Sequence, residues 1–193
     1  MTDVPTATPP RSQPTRDRIL EAARLVFARE GYERATVRLV AAEAAVHPSM
    51  ITRYYGTKEH LFALAARIDL GLPDVTTLER DSISPALARH FVDLWEGPGT
   101  GGRLQALLRA SVSHEAARLA LVAMFDEQVL ATVRRIAGVS RPERSAALIA
   151  SQLLGIAFSR YVARIPAVEA LSADDLVAAL GPTIRQYIEC RDI

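Results

Sequence analysis

The chain has 193 residues, of which 49% are hydrophobic and 23% are charged, and its formal net charge is +1. These values are typical of a folded soluble protein, and they exclude both a disordered chain and a strongly basic coat for nucleic acid. The single cysteine, Cys190, excludes an intramolecular disulfide and a cysteine metal cluster, so the cytoplasm is the expected compartment.

The N-terminal end carries a weak local excess of positive charge. Residues 1–60 hold nine Lys/Arg and seven Asp/Glu, a net charge of +2, whereas the remainder holds fourteen and fifteen, a net charge of −1. This asymmetry favours an N-terminal part that faces nucleic acid. Within it, residues 1–14 contain four prolines and no apolar run, which predicts a disordered tail rather than a signal peptide. Arg11 in this tail could enter a minor groove or remain solvated.

The next part, residues 15–60, shows helical periodicity in three segments. Apolar residues recur at helical spacing up to Gly31, and glycine is typical of a helix end. A second helix is predicted to begin after Thr36 as its N-cap, and a third to begin at Pro48 after a turn of three residues. A longer helix followed by two short ones joined by a tight turn is typical of a helix-turn-helix unit.

The remaining residues, 61–193, are predicted to form a helical bundle. A fourth helix is expected from Thr57, its N-cap, to about Leu70, and a fifth is expected to open at Ser84-Pro85. Further helices are expected at residues 103–112, 114–137, 142–165 and 173–187. No segment alternates with period two, so no sheet is expected and the fold class is all-α. No stretch approaches the roughly 18 unbroken apolar residues of a membrane-spanning helix.

Lys58 is the only lysine of the chain, and it falls in the first turn of the predicted fourth helix. The helix dipole places about half a positive charge there, so a cation is mildly unfavourable unless something compensates for it. A phosphate bound by the exposed amides of the helix start, with Lys58 beside it, would make the arrangement favourable. The alternative is a flexible surface lysine that Glu59 partly offsets.

Several runs between residues 15 and 62 form one pattern. They are ILEAA, VFAREGYERATV, Val46 in the turn, and YYGTKE at residues 54–59 followed by Leu61 and Phe62. Together they resemble the DNA-binding domain of tetracycline-repressor-like (TetR family) transcription regulators. The resemblance implies an N-terminal three-helix helix-turn-helix domain, residues 15–60, followed by a helical effector-binding and dimerisation domain, residues 61–193. It also implies a sequence-specific regulator that binds double-stranded DNA.

The third helix of a helix-turn-helix lies in the major groove, so its outward residues determine sequence recognition. Ile51 and Tyr55, four residues apart, are expected to face inward, which leaves Arg53 and its polar neighbours facing outward. Arg53 could form a bidentate contact to guanine or clamp a phosphate. The resemblance implies that further positions contact the DNA backbone. The complete set of predicted DNA-contacting residues is Thr36, Arg38, His47, Ser49, Met50, Thr52, Arg53, Tyr54 and Lys58.

Three positions depart from the family pattern. Ala45 stands where the family often has glycine, which would cost about 1 kcal/mol if the position is left-handed. His47 replaces the usual Ser or Thr cap of the third helix, and it could cap that helix, contact a phosphate or be solvated. Met50 replaces a frequent glycine, and it could pack internally or contact a thymine methyl group.

For the C-terminal part, the resemblance implies a small effector and a homodimer formed by the last two long helices, residues 142–165 and 173–190. A dimer would match a palindromic operator, although the apolar excess of these helices could instead be intramolecular core. An apolar effector pocket is expected between helices, while core packing would explain the same aromatic stripe. His114 or Gln128 could supply polar recognition. The candidate pocket residues are Phe91, Trp95, Met124, Phe125 and Phe158.

Other functional classes lack support in the sequence. The four histidines form no His-Glu-x-x-His motif, and no serine lies in Gly-x-Ser-x-Gly, so no enzymatic activity, cofactor or metal is expected. The run GPGTGG, residues 97–102, lacks the Lys-Ser/Thr pair of a phosphate-binding loop and is predicted to be a connector. The remaining alternative to an effector-released repressor is an effector-independent or architectural DNA binder. A preformed cavity in the C-terminal part would distinguish the two.

Overall fold

The computed structural model describes residues 13–97 and 100–189, and within these ranges all regular structure is helical, which confirms the all-α prediction. The chain forms two compact units, Met1–Ala65 and Ala66–Ile193. The predicted tail with Arg11 lies outside the described residues, except that Gln13 and Pro14 belong to the first helix and not to a tail.

The described residues of the N-terminal unit form four helices. They are α1 (Gln13–Arg34), α2 (Val37–Glu43), α3 (Pro48–Tyr55) and α4 (Lys58–Ala65). Helix α1 packs against α2 and α4, and α2 packs against α3. Gly31 has a φ of 73° and interrupts α1 at the position where the sequence predicted a helix end.

The core of the N-terminal unit follows the helical periodicity of its sequence. Ile19 and Val26 of α1 and Leu61 of α4 are completely buried. The ring of Phe62 lies edge-on to Phe27, with 4.9 Å between ring centroids, and 4.8 Å from the ring of Tyr32. Edge-to-face pairs of this kind contribute beyond their buried area, so this aromatic cluster fixes α4 against α1.

The C-terminal unit contains the remaining helices. They are α5 (Arg80–Glu96), α6 (Thr100–Ser111), α7 (Glu115–Met124), a π-helical segment (Phe125–Leu130), α8 (Ala131–Arg134), α9 (Pro142–Ala157), a second π-helical segment (Phe158–Val162), α10 (Pro166–Glu169) and α11 (Ala173–Glu189). Helix α11 packs along α5 and also contacts α9, while α6 packs against α5 and α7.

The prediction that the fourth helix extends to Leu70 was wrong, because α4 ends at Ala65. The side chain of Gln128 binds the backbone beyond it: its Oε1 accepts from the N–H of Leu70 at 2.7 Å, and its Nε2 donates to the carbonyl of Ile68 at 2.8 Å. These bonds replace the backbone partners that a continuing helix would supply. Residues 68–70 accordingly have no regular secondary structure.

The fifth helix begins at Arg80 and not at Ser84, so Pro85 lies inside it. Proline has no N–H, which leaves the carbonyl of Asp81, four residues earlier, without its helical partner. Arg185 of α11 donates from Nη2 to that carbonyl at 2.9 Å and from Nη1 to the Asp81 carboxylate at 3.1 Å. A distant side chain thus stabilises the first turn of α5.

The predicted connector at residues 97–102 is shorter than expected, because α6 already begins at Thr100. Gly101 makes this possible, since a Cβ atom there would lie 2.1 Å from the carbonyl oxygen of Trp95. Any larger residue at position 101 would therefore separate α6 from the end of α5.

The ends of two later helices also differ from the predicted ones. The helical run predicted to reach residue 137 ends at Arg134, and the run predicted to reach residue 165 ends at Val162. Each contains a π-helical segment, whose wider turn departs from the 3.6-residue period on which the prediction relied.

Candidate nucleic-acid interface and effector cavity

The turn between α2 and α3 begins with a Schellman motif. The N–H of Val46 donates to the carbonyl of Ala41 at 3.0 Å, and the N–H of Ala45 donates to that of Ala42 at 3.1 Å. Ala45 occupies the left-handed position of this motif, with a φ of 50°. Ala45 is therefore strained, as expected for a residue other than glycine in the left-handed conformation.

Helix α3 has one buried face and one exposed face. Ile51 and Tyr55 are buried, as predicted, and the hydroxyl of Tyr55 donates to the carbonyl of Arg16 in α1 at 2.7 Å. Burial raises the pKa of the Tyr55 hydroxyl above its usual value. This bond anchors the C-terminal end of α3, so that its outer face stays presented to solvent.

His47 is the N-cap of α3. Its Nδ1 accepts from the N–H of Ser49 at 3.3 Å and lies 2.8 Å from the Ser49 hydroxyl. His47 thus caps α3, which is one of the three roles proposed for it from the sequence. The N-cap of α2 is Thr36, as predicted, and its hydroxyl accepts from the N–H of Leu39 at 3.2 Å.

Tyr54 lies between two arginines. The guanidinium of Arg16 is 5.2 Å from its ring centroid and that of Arg53 is 6.0 Å away. The face of an aromatic ring carries partial negative charge and attracts cations, so the Tyr54 ring holds both guanidinium groups near the end of α3. Arg16 is not among the predicted residues, because no local pattern connects it to Tyr54, 38 positions further along the chain.

The start of α4 holds a second positively charged group. Lys58 is the first residue of this helix, and its Nζ lies 4.3 Å from the ring centroid of Tyr32 and 3.4 Å from the carbonyl oxygen of Glu33. The hydroxyl of Thr57 accepts from the N–H of His60 at 3.2 Å, which confirms Thr57 as the cap. The Tyr32 hydroxyl donates to the Glu59 carboxylate at 3.0 Å.

These contacts perturb two acidic groups. Burial, together with the bond to Glu59, raises the pKa of Tyr32 to about 12. The N–H of its own residue at the helix start lowers the pKa of the Glu59 carboxyl, and the hydroxyls of Thr57 and Tyr32 lower it further. Glu59 therefore stays ionised beside Lys58 at neutral pH.

All nine predicted DNA-contacting residues lie in the N-terminal unit. Six of them are exposed, and Met50, Tyr54 and Lys58 are half-buried. Their contact with DNA stays a prediction. The exposed members are Thr36, Arg38, His47, Ser49, Thr52 and Arg53.

The C-terminal unit contains a cavity of about 310 Å³. Four of the five predicted pocket residues line it: Phe91 and Trp95 of α5, Met124 of α7 and Phe125 of the π-helical segment. Phe158, the fifth predicted residue, is not among the residues that line this cavity. It is 45% exposed and lies at the start of the second π-helical segment, so its part in a pocket stays a prediction.

The part of the cavity wall that precedes α5 in the chain was not predicted. Leu70 and Leu72 line it, and the carbonyl of Leu70 lies 2.7 Å from Nε2 of His90, which also lines it. Gln128 is a candidate for polar ligand recognition, but both ends of its amide bind the backbone of this segment. These contacts span 20 to 60 residues, so no local motif could indicate them.

Helices α1 to α3, with α2 and α3 joined by a tight turn and polar and basic residues exposed on α3, form a helix-turn-helix unit, the kind of unit that DNA-binding regulators use. The profile of bacterial regulatory proteins of the tetR family matches residues 19–65. The profile of the tetracyclin repressor-like C-terminal domain matches residues 81–188, which is more than half of the chain. The chain therefore belongs to the TetR family of DNA-binding transcription regulators. No curated protein sequence matches it significantly.

Solved structures share the fold over nearly the whole chain. A TetR-family regulator from Streptomyces coelicolor A3 is 24% identical, with 96% of this chain and 100% of that chain covered and a TM-score of 0.63. The multidrug binding protein EbrR, solved with imidazole, is 23% identical, with 95% and 98% covered and a TM-score of 0.72. SmeT, solved with triclosan, is 21% identical, with 90% of each chain covered and a TM-score of 0.64.

Proposed function

We propose that this regulator is a cytoplasmic, homodimeric repressor without catalytic activity, which binds a palindromic operator and is released by a small, largely apolar effector. The observation that carries the DNA-binding part is the exposed face of α3, with Arg53 upon it and Lys58 at the start of the following helix. Arg53 reads bases in the major groove, whereas Lys58 and the N–H groups of the α4 start hold a backbone phosphate.

The proposal of a homodimer is supported by the apolar surface of α9 and the segment after it. The helix Pro142–Val162 is long and apolar enough to span a membrane: its most apolar window of 18 residues has a mean hydropathy of 1.2, yet only 22% of that window is buried. Phe158 on this helix is 45% exposed. In a soluble regulator, a second copy of the chain covers such a surface. Two copies place two recognition helices at half-sites about one helical turn apart.

The proposal of an effector is supported by the cavity and by its wall. Leu70 and Leu72 line the cavity, and they lie in the chain just after α4, the last helix of the DNA-binding unit. A ligand in the cavity would therefore contact the segment that continues directly from that unit. EbrR is described as a multidrug binding protein, and SmeT was solved with triclosan. The preformed cavity favours this interpretation over an effector-independent or architectural DNA binder. Binding of the effector then lowers the affinity for the operator, and binding of the operator lowers the affinity for the effector by the same factor.

Selection of bound duplexes from random-sequence DNA by the full-length protein tests this function. It should enrich one inverted repeat, and a ligand of the cavity should weaken binding to that repeat while raising the melting temperature of the free protein. Binding without enrichment of any sequence would favour the architectural alternative. Enrichment without release by any compound in a broad screen would favour an effector-independent regulator.

A further inference from the structure

The cavity of the C-terminal unit is built for an uncharged ligand. Among the described residues that line it, only His90, Thr132 and Trp95 carry an N–H, O–H or ring-nitrogen group, and none is an aspartate, glutamate, lysine or arginine. A carboxylate or ammonium group entering this space would lose its hydration without gaining a partner of opposite charge. The lining thus selects against both kinds of ion.

His90 provides one directed polar contact. Its Nε2 lies 2.7 Å from the carbonyl oxygen of Leu70, and because a carbonyl can only accept, Nε2 carries the proton. In the neutral ring the lone pair is then on Nδ1, which accepts a hydrogen bond. No described residue donates to Nδ1. The bond to Leu70 therefore fixes the tautomer and leaves an acceptor nitrogen on a residue that lines the cavity.

The remaining features define the size and shape of the ligand. At about 310 Å³ the cavity is at the lower end of the range for ligand sites, roughly 300–1,000 Å³. The rings of Phe91, Trp95 and Phe125 line it, and such rings pack well against a second aromatic ring.

We propose that the effector is an uncharged molecule of one or two rings, carrying a hydroxyl or N–H group that donates a hydrogen bond to Nδ1 of His90. This inference rests on the proposed effector function and specifies its ligand class.

A matched set of four biphenyl probes tests the ligand class with the full-length protein: 4-phenylphenol, its methyl ether, biphenyl-4-carboxylate and 4-(aminomethyl)biphenyl. Trp95 is the only tryptophan of the chain and lines the cavity, so its fluorescence reports binding directly. The phenol should bind about tenfold more tightly than the methyl ether, which lacks the donor. The two ions should bind about a hundredfold more weakly than the phenol or not at all.

Two variants distinguish the contribution of His90 to ligand binding from that of the other cavity residues. His90→Leu should bring the affinities of the phenol and the ether together, whereas Thr132→Val should keep the preference for the phenol. Since His90→Leu also removes the bond to Leu70, a second measurement uses the unaltered protein. The ¹⁵N resonance of His90 Nδ1 should shift when the phenol is added and stay in place with the ether.

The outcomes distinguish the ligand class from the effector function. Equal affinity for phenol and ether, or an unchanged Nδ1 resonance, would overturn the hydrogen bond to His90 while leaving an effector site in place. Ions that bind as well as the phenol would overturn the selection for uncharged ligands. If no probe altered Trp95 fluorescence or the melting temperature, the effector cavity itself would be refuted, and DNA binding would be unaffected by that result.

Discussion

The ammonium group of Lys58 lies 4.3 Å from the ring centroid of Tyr32. This contact orients the only lysine of the chain before any DNA is present, because the ring attracts the cation and the nearby carbonyl of Glu33 accepts from it at 3.4 Å. The same tyrosine donates to Glu59. Tyr32 therefore organises the start of α4, where we place a phosphate of the operator backbone.

Lys58→Ala should weaken binding to every duplex, whatever its sequence, because a phosphate contact carries no base information. The slope of log K against log salt should fall in magnitude by about one, as expected for the loss of one neutralised phosphate. Titrations at several salt concentrations measure both quantities. Arg118→Ala is the control, since it removes one positive charge from the C-terminal unit, where Arg118 pairs with Glu115. An unchanged slope for Lys58→Ala would contradict the phosphate contact.

Arg53→Ala should differ from Lys58→Ala in changing which bases are preferred. A bidentate contact to guanine contributes about 1–3 kcal/mol of discrimination, so operator variants at one base position should become nearly equivalent. Binding of the variant to a set of singly substituted operators measures this. Equal loss of affinity on every sequence would show that Arg53 holds only a phosphate.

Ala45→Gly should stabilise the protein by about 0.5–1 kcal/mol. The left-handed conformation costs an alanine roughly 1–2 kcal/mol, and the greater backbone freedom of glycine in the unfolded chain offsets part of that gain. Urea unfolding at one fixed protein concentration measures the change. Ala42→Gly is the matched control, because Ala42 is exposed inside α2 and glycine there should destabilise by about 1 kcal/mol. Destabilisation by both variants would refute strain at Ala45.

Tyr32→Phe should raise the pKa of the Glu59 carboxyl toward its usual value, because it removes one of the donors that lower it. Because the pKa of Glu59 is lowered in the folded protein, its ionised form stabilises the fold at pH values above the unfolded-state pKa of about 4.3. This stabilisation is lost as the pH falls through the folded-state pKa. Carboxyl ¹³C titrations of the two proteins measure the shift. Tyr187→Phe, in α11, should leave the Glu59 titration unchanged. The same curve for Tyr32→Phe and the unaltered protein would contradict the hydrogen bond.

Arg185→Leu should destabilise the protein by about 1 kcal/mol, because the carbonyl of Asp81 loses its partner. In a Pro85→Ala background the same change should cost less, since the alanine N–H can bond to that carbonyl. Urea unfolding of the four proteins gives the coupling between positions 85 and 185. An equal cost in both backgrounds would show that Arg185 does not compensate for the proline.

Local features of the fold were predictable from the sequence. The caps Thr36 and Thr57, and the buried positions Ile51 and Tyr55, follow from side-chain chemistry and helical spacing within a few residues. The outward face of α3 follows from the same periodicity. Ser49, Thr52 and Arg53 were predicted as DNA-contacting residues from this periodicity, whereas Thr36, Arg38, Tyr54 and Lys58 were predicted from the resemblance to the TetR family.

Features that depend on distant contacts were not predictable. Gln128 ends the helical path after α4 through bonds to residues about 60 positions earlier, and Arg185 supports the first turn of α5 from 104 positions away. Phe158 is not among the residues that line the cavity, and it begins a π-helical segment that helical spacing alone does not indicate. His90 carried no local signal, since its role arises only from its contact with Leu70 and from the cavity that both residues line.

The most direct test of the central claim is a salt titration of binding to the DNA just upstream of the protein's own gene, with a random duplex as the control. A site-specific regulator should prefer the upstream fragment by about a thousandfold or more, and its affinity should fall linearly on a log–log plot as salt increases. Binding to neither duplex at low salt would contradict the assignment of α3 and the α4 start as a DNA-binding surface.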